Sequence, residues 1–198
     1  MKVGVAIGTF GDLAEWTELV QPALASAIGQ ASSVQWVHGS SLHEARNEAA
    51  SRLSDMDYII FLDADDELSD GYVDAMVDAV IPGRDAILRP ATIGVYEDGS
   101  TDAEAILIPR TDMKKANCVV IGAMVPYPLF EKVGGFDDWP ILEDWDLWQT
   151  MMIAGAVIRE VPAAVYRVHV HPGSRNTDPS HGRVYSEIRA KHAQAWAR

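Results

Sequence analysis

The stretch YIIFLDADDELSDGY, residues 58–72, decides how the chain is read, because an apolar run drives straight into Asp63, Asp65, Asp66 and Glu67. An uninterrupted apolar run of this length fits a strand covered on both faces, as in a parallel sheet. Carboxylates crowded at its end repel one another and resist ionising together unless a cation or a solvated turn relieves them.

Upstream, residues 3–7 read as a short buried strand ending in GTFGD, followed by apolar positions at helical spacing: Leu13, Trp16, Val20, Leu24, Ala27 and Ile28. Pro22 is expected to kink or restart that helix. VQWVH, residues 34–38, is a second strand, and Leu42, Ala45, Ala49 and Leu53 mark a helix capped by Ser40 or Ser41. Strand, helix, strand, helix, strand is the pattern of a doubly wound parallel sheet, whose ligands bind beyond the carboxyl ends of the strands. The acids at 63–66 fall at such an end. The expected fold class is α/β: one domain over residues 1–198, a mainly parallel central sheet flanked by helices, and a small antiparallel excursion.

Downstream, SDGY should cap a helix at about residues 73–80. Residues 85–90 and 104–109 look like strands flanking the turn YEDGSTD, a hairpin excursion, and VVIGAMV at 119–125 is another apolar run. EDWDLWQTMMIAG, residues 143–155, predicts a helix with Trp145, Trp148 and Met152 on one side and Glu143 and Asp144 in its first turn, where the helix dipole favours negative charge. AVIREVP and AVYRVHV read as two short strands, and HPGSRNTDPSHG as a polar loop before a final helix ending at Arg198.

Composition narrows the function classes. With 198 residues and 48% hydrophobic content the chain supports one well-buried domain. Its 29 acidic residues against 16 basic give a net charge of −13, with no run of Lys or Arg to track phosphates, which disfavours nucleic acid as a main partner. The single cysteine, Cys118, excludes an intramolecular disulfide framework. MKVGVAIGTF is too short an apolar run for a signal peptide and no later window is long enough to span a bilayer, so a cytoplasmic protein is the expectation.

Taken alone, Asp63, Asp65 and Asp66 suit either a solvated turn or a divalent cation; oxygen ligands of this kind fit Mg²⁺ or Mn²⁺, which bind through one or two carboxylates plus substrate phosphates. The order of ARNEAA, YIIFLDADDEL, VGGFDD, EDWDLW and YRVHVHPGS, with LASAIGQ matching more loosely, resembles the inverting family 2 glycosyltransferases of the GT-A fold. That resemblance implies roles position by position. DADD is similar to the family's DxD motif, making Asp65 the direct ligand of Mn²⁺ or Mg²⁺, with Asp63 nearer the ribose or metal and Asp66 in support. EDWD matches the ED motif, making Asp144 the catalytic base and Glu143 the residue that orients it or the acceptor. A late histidine completes the metal site, His171 in preference to His169. Arg46 is expected to contact phosphate and Asn47 to orient the acidic loop. GGFDD, with Gly135, forms a turn that shapes the acceptor side, where Trp139 and Trp145 lie.

The sequence departs from the family at the end of the second strand, where an acidic base-reading stretch is replaced by VHGSSLHEARN. Donor contacts are therefore assigned to Thr9, Phe10, Asp12, His38, Arg46, Asp63, Ala64 and Asp65. Residues 1–90 form the donor half and residues 91–198 the acceptor and catalytic half of a minimal core. The implied reaction is metal-dependent transfer of a sugar from a nucleoside diphosphate to a hydroxyl acceptor. Two rivals are weighed against it. A sugar nucleotidyltransferase would need a Gly-rich basic loop after the first strand, which GTFGDLAEW lacks. A nucleotide-sugar binding module without turnover would keep the fold and be indifferent to loss of Asp144. The acceptor class and oligomeric state carry no sequence code.

Overall fold

The computed structural model of the chain describes residues 1–171 and 178–197. Its sheet has seven strands among the described residues, in the order β2-β1-β3-β6-β5-β7-β4. The left half is β2 (Ser33–Gly39), β1 (Val3–Phe10) and β3 (Tyr58–Leu62), mutually parallel. β6 (Met124–Pro126) runs antiparallel to both β3 and β5 (Ala86–Tyr96), and β5 is parallel to β7 (Val157–Val170). All strands except β6 and the two-residue β4 (Glu67–Leu68) therefore point the same way, and the carboxyl ends of β1, β2, β3 and β7 share one edge. β3 matches its sequence expectation residue for residue, and Ile59, Ile60 and Phe61 are fully buried, each worth about 1.5–3 kcal/mol of apolar transfer.

The predicted first helix is two: α1 (Leu13–Leu19) and α2 (Gln21–Ala27), with Pro22 in the first turn of the second. Val20, Ala23 and Ala27 are fully buried, whereas α1 buries none of its residues. α3 (Leu42–Ser51) starts at Ser41, whose hydroxyl accepts from Glu44 N, and it packs on β1 and β2. Gly8 permits that approach, since a Cβ there would come within 2.8 Å of Arg46 N. α4 (Tyr72–Asp78) packs on β7, and α6 (Glu143–Ile153) lies between α5 (Tyr127–Val133) and α7 (His181–Trp196).

Two expectations are corrected. Residues 104–109 form no continuous strand: the isolated bridges Thr92–Ile106 and Val95–Thr101 close the hairpin, and the Asp102 carboxylate adds bonds from Gly94 N and the Tyr96 hydroxyl. The two strands expected at 156–162 and 164–170 are one, β7, which crosses Pro162 through an irregularity where the β5 partner steps from Val161 at Pro90 to Val165 at Ala91. A proline lacks the ladder donor, so it is tolerated at such a bulge. Of residues 119–125 only the last two enter a strand. The polar loop expected from 171 falls largely at 172–177, outside the described residues, as does Arg198.

Candidate active site

A cleft of about 610 Å³ opens along the shared strand edge, a size that suits a small-molecule ligand. One wall is the end of β1 with α1: Gly8, Thr9, Phe10 and Trp16. The floor is the acidic loop 63–66, and the far wall is Asn117 with the start of α6. The rim at the end of β7 carries His169 and His171.

The acidic loop is a tight turn, with Asp66 N donating to Asp63 O at 3.1 Å. Asp63, Asp65 and Asp66 each offer a carboxylate oxygen, all within 4.8 Å of one another. Asp66 is 7% exposed and accepts from His169 N at 2.8 Å, which pins the loop to β7. Burial, and then the Asp63 and Asp65 carboxylates, push its carboxyl up to about 8, against the hydrogen bonds from His169 N–H and the Tyr166 hydroxyl. A cluster that holds a proton this tightly is one that a cation would relieve, so the donor set fits a hard divalent ion, with exposed Asp65 the most accessible ligand.

Behind the acids, Arg46 is 2% exposed and forks between two carboxylates: its guanidinium bonds Asp63, and Nη1 donates to Glu143 Oε1 at 2.7 Å. Burial works against its charge, but Asp63 and Glu143 more than offset this and raise its pKa. Arg46 also lies 5.2 Å from the Phe136 ring centre. It thereby couples the acidic loop to the start of α6 through a carboxylate bridge that uses one donor of each terminal nitrogen.

α6 begins abruptly. Leu142 has φ 60°, the one positive φ outside glycine among the described residues, and supplies no side-chain cap. Such strain persists where surrounding contacts over-determine the backbone, often at functional sites. Glu143, 3% exposed, is spent on Arg46. Asp144 faces the cleft, its Oδ1 accepting from Trp145 N and Oδ2 from Asn117 Nδ2, both at 2.7 Å. Burial and then Glu143 push its carboxyl up to about 7, against the lowering effects of Trp145 N–H, Arg46 and Asn117. A carboxylate balanced near neutrality can take a proton at working pH. Two residues on, buried Asp146 accepts from His192 Nε2 at 2.6 Å and from Lys191 Nζ at 2.6 and 2.9 Å, fixing α6 to α7. Burial alone would raise Asp146, but these partners hold it below the usual carboxylate range.

The structure separates the sequence-assigned residues into two sets. Phe10, Thr9, Ala64, Arg46, Asp63, Asp65, Glu143, Asp144, His169 and His171 all line the cleft. Asp12 does not; it is the N-cap of α1, accepting from Ala14 N at 2.8 Å. His38 also lies off the cleft, its Nδ1 3.1 Å from the Thr9 hydroxyl, which in turn accepts from Trp36 Nε1 at 2.9 Å. The two histidines reach the rim but not the acid cluster, which among the described residues contains only the three aspartates. His169 Nε2 instead lies 3.4 Å from Glu67 Oε1, without hydrogen-bond alignment.

On the acceptor side, Trp145 is corrected outright: at 1% exposure it stacks on Tyr185 and donates to Met113 O, so it offers no face to a ligand. Gly135 and Trp139 do not line the cleft either. Gly135 holds φ 78° beside Asn47, whose amide pairs with the backbone of Phe136 through two 2.9 Å bonds, so Asn47 fixes the Gly-Gly turn and not the acidic loop. Sequence reading missed Trp16, Asn117 and Leu142. Trp16 Nε1 donates to Phe10 O at 2.7 Å, holding an aromatic pair at the cleft wall; its place in an apolar helical series read as core packing, and it does pack in part against the core.

A parallel strand edge bearing an acid triad, faced by a helix that starts with a carboxylate pair, is the layout of a GT-A nucleotide-sugar fold. The family model for glycosyl transferase family 2 matches residues 22–127, more than half of the chain, and the chain belongs to that family. The match includes Arg46 and the acidic loop and ends before α6. Among solved structures, S. aureus TarS 1-349 in complex with UDP-GlcNAc aligns with TM-score 0.65 at 12% identity, over 96% of this chain and 66% of that one. The same protein in complex with UDP gives TM-score 0.60 at 13% identity over 97% and 72%, and TarS 1-349 alone 0.60 at 12% over 85% and 60%. These likenesses establish the fold, and the chain spans 60 to 72% of the length of these neighbours. No curated protein matches the sequence significantly. Among the described residues, no helix is long and apolar enough to cross a membrane.

Proposed function

We propose that the chain is a metal-dependent, inverting glycosyltransferase that moves a sugar from a nucleoside diphosphate to a hydroxyl acceptor. The observation that carries this reading is the placement of Asp144, its carboxyl pushed up to about 7, in the same cleft as the acid triad. Uridine diphosphate sugars are the first donors to test, since the TarS neighbours were solved with UDP-GlcNAc and UDP.

In this reading Asp65, with Asp63 in support, would hold Mn²⁺ or Mg²⁺, and His171 or His169 would join from the rim. The ion, when bound, supplies charge neutralisation for a departing diphosphate. Phe10 and Trp16 offer the base or ribose an aromatic wall in place of the missing acidic reader. Asp144 accepts the proton of the acceptor hydroxyl as its oxygen bonds the anomeric carbon; the bond from that carbon to the diphosphate breaks on the opposite side, and configuration inverts. Asn117 and Trp145 N–H orient the carboxylate, and Glu143, held by Arg46, keeps it basic. Residues 1–90 serve the donor, and the later half serves the acceptor.

The test is Asp144→Asn, read as UDP release from a panel of uridine diphosphate sugars with and without polyol acceptors. Turnover should fall by at least about 10²-fold, the usual contribution of a general base, while donor affinity stays unchanged. Undiminished turnover removes Asp144 from the chemistry.

A further inference from the structure

A second concavity, of about 270 Å³, lies between the loop after Met113, α6 and α7, lined by Lys114, Gln149, Arg189 and Trp196. Lys114 Nζ sits 5.1 Å from the Trp196 ring centre, and the Arg189 guanidinium 5.6 Å from that of Tyr185. In a chain of net charge −13, Arg46, Arg89, Arg167, Arg183 and Lys191 all pair with carboxylates. Among the described residues, Lys114 and Arg189 show ring contacts and no carboxylate partner. Two uncommitted cations therefore share one cleft on an otherwise acidic protein.

Beneath them Gln149 is 1% exposed. Its Oε1 accepts from Trp196 Nε1 at 3.0 Å, which fixes the orientation of the amide and leaves Nε2 as the donor end. Nε2 is buried and has no hydrogen-bond partner. A buried donor without an acceptor is a standing cost, and in native proteins it calls for an explanation such as an absent ligand.

We propose that this cleft is a second ligand site that takes a phosphate group carried on a small organic body. Lys114 and Arg189 meet the charge, Gln149 Nε2 meets an oxygen, and the Trp196 face covers the carbon skeleton. Two cations and a buried amide donor suit a group with a high charge and several acceptor oxygens better than a carboxylate. None of these residues lines the donor cleft, so the site is independent of the proposed transfer. It is nevertheless connected to it: Gln149 shares α6 with Asp144, and Lys114 lies on the loop that delivers Asn117 to Asp144.

The carrier is a free phosphomonoester or a phosphodiester within a longer acceptor. The probes are inorganic phosphate, glycerol 2-phosphate and a glycerol phosphodiester, titrated at constant ionic strength with NaCl while the Trp196 indole N–H resonance is followed by NMR, assigned with Trp196→Phe. A saturable shift is expected, weakened at least about tenfold in Lys114→Gln/Arg189→Gln and retained in Asp65→Ala. Both cations are solvent-facing, and thermal melts of the double variant check that it folds. Tighter monoester binding assigns a free metabolite, and tighter diester binding an acceptor chain. A shift that does not saturate, that survives in the double variant, or that disappears in Asp65→Ala overturns the proposal. Failure of the transferase reading leaves the site untouched, because the Asp65→Ala arm reads it alone.

Discussion

Replacing Asp144 with Asn should make the protein more stable at alkaline pH and leave it unchanged or weaker in acid. In the folded state burial and Glu143 push the carboxyl from 3.8 up to about 7, so between those values the folded chain binds a proton that the unfolded chain has released. Stability therefore falls as pH rises through that window. At 1.36 kcal/mol per pH unit the full penalty above pH 8 is roughly 4 kcal/mol. Asparagine removes the charge but not the crowding. Its oxygen can still accept from Trp145 N, whereas its amide meets Asn117 Nδ2, donor against donor, and Asn117 Oδ1 is held by Val119 N at 3.0 Å. That mismatch subtracts about 1–2 kcal/mol. The net expectation is a gain of about 2–3 kcal/mol at pH 8.5 and, because about 1 kcal/mol of the penalty is already present at pH 4.5, a loss of at most about 1 kcal/mol there. Urea denaturation of both proteins across pH 4.5–8.5 reads the difference. A difference that does not change with pH, or that favours the wild type at pH 8.5, would refute a buried, proton-holding Asp144.

The transfer rate should have an acidic limb of unit slope with its midpoint near 7, since only the carboxylate form of Asp144 can act as base; Asn117→Ala removes a lowering hydrogen bond, so the kcat/KM profile should shift to higher pH. Arg46→Met leaves Asp63 and Glu143 without their shared cation and should cost about 3–5 kcal/mol by urea denaturation, as for other broken buried pairs. Gly135→Ala places a Cβ 2.5 Å from Asn47 Oδ1 at φ 78°, and a loss of about 1–3 kcal/mol in the same assay is expected.

Residues 1–90 were legible because their signals are local. A wholly apolar strand, a serine cap and a Pro22 restart each act within a few residues, and β3, α3 and the α1–α2 break follow from them. The later half was not, because its structure depends on partners distant in sequence. β4 exists only by pairing with β7, and the hairpin after β5 is closed by two isolated bridges and the Asp102 side chain in place of a continuous strand. The same division holds at the site. Asp65 and Asp144 were recognisable as motifs, whereas the role of Arg46 depends on Glu143, 97 residues away, and Asn117 lies in a loop without a code. Trp145 was misplaced because helical spacing shows that residues share a face but not that α7 covers it.

In the proposed function the acid triad holds a metal, which in turn holds a nucleoside diphosphate. Calorimetric titration of UDP into the wild type and Asp65→Ala, with and without Mn²⁺, tests it most directly. Binding should require the metal and weaken at least about tenfold in the variant. Binding of equal strength without Mn²⁺ or without the Asp65 carboxylate, or no binding of any nucleoside diphosphate in a wider panel, would contradict it.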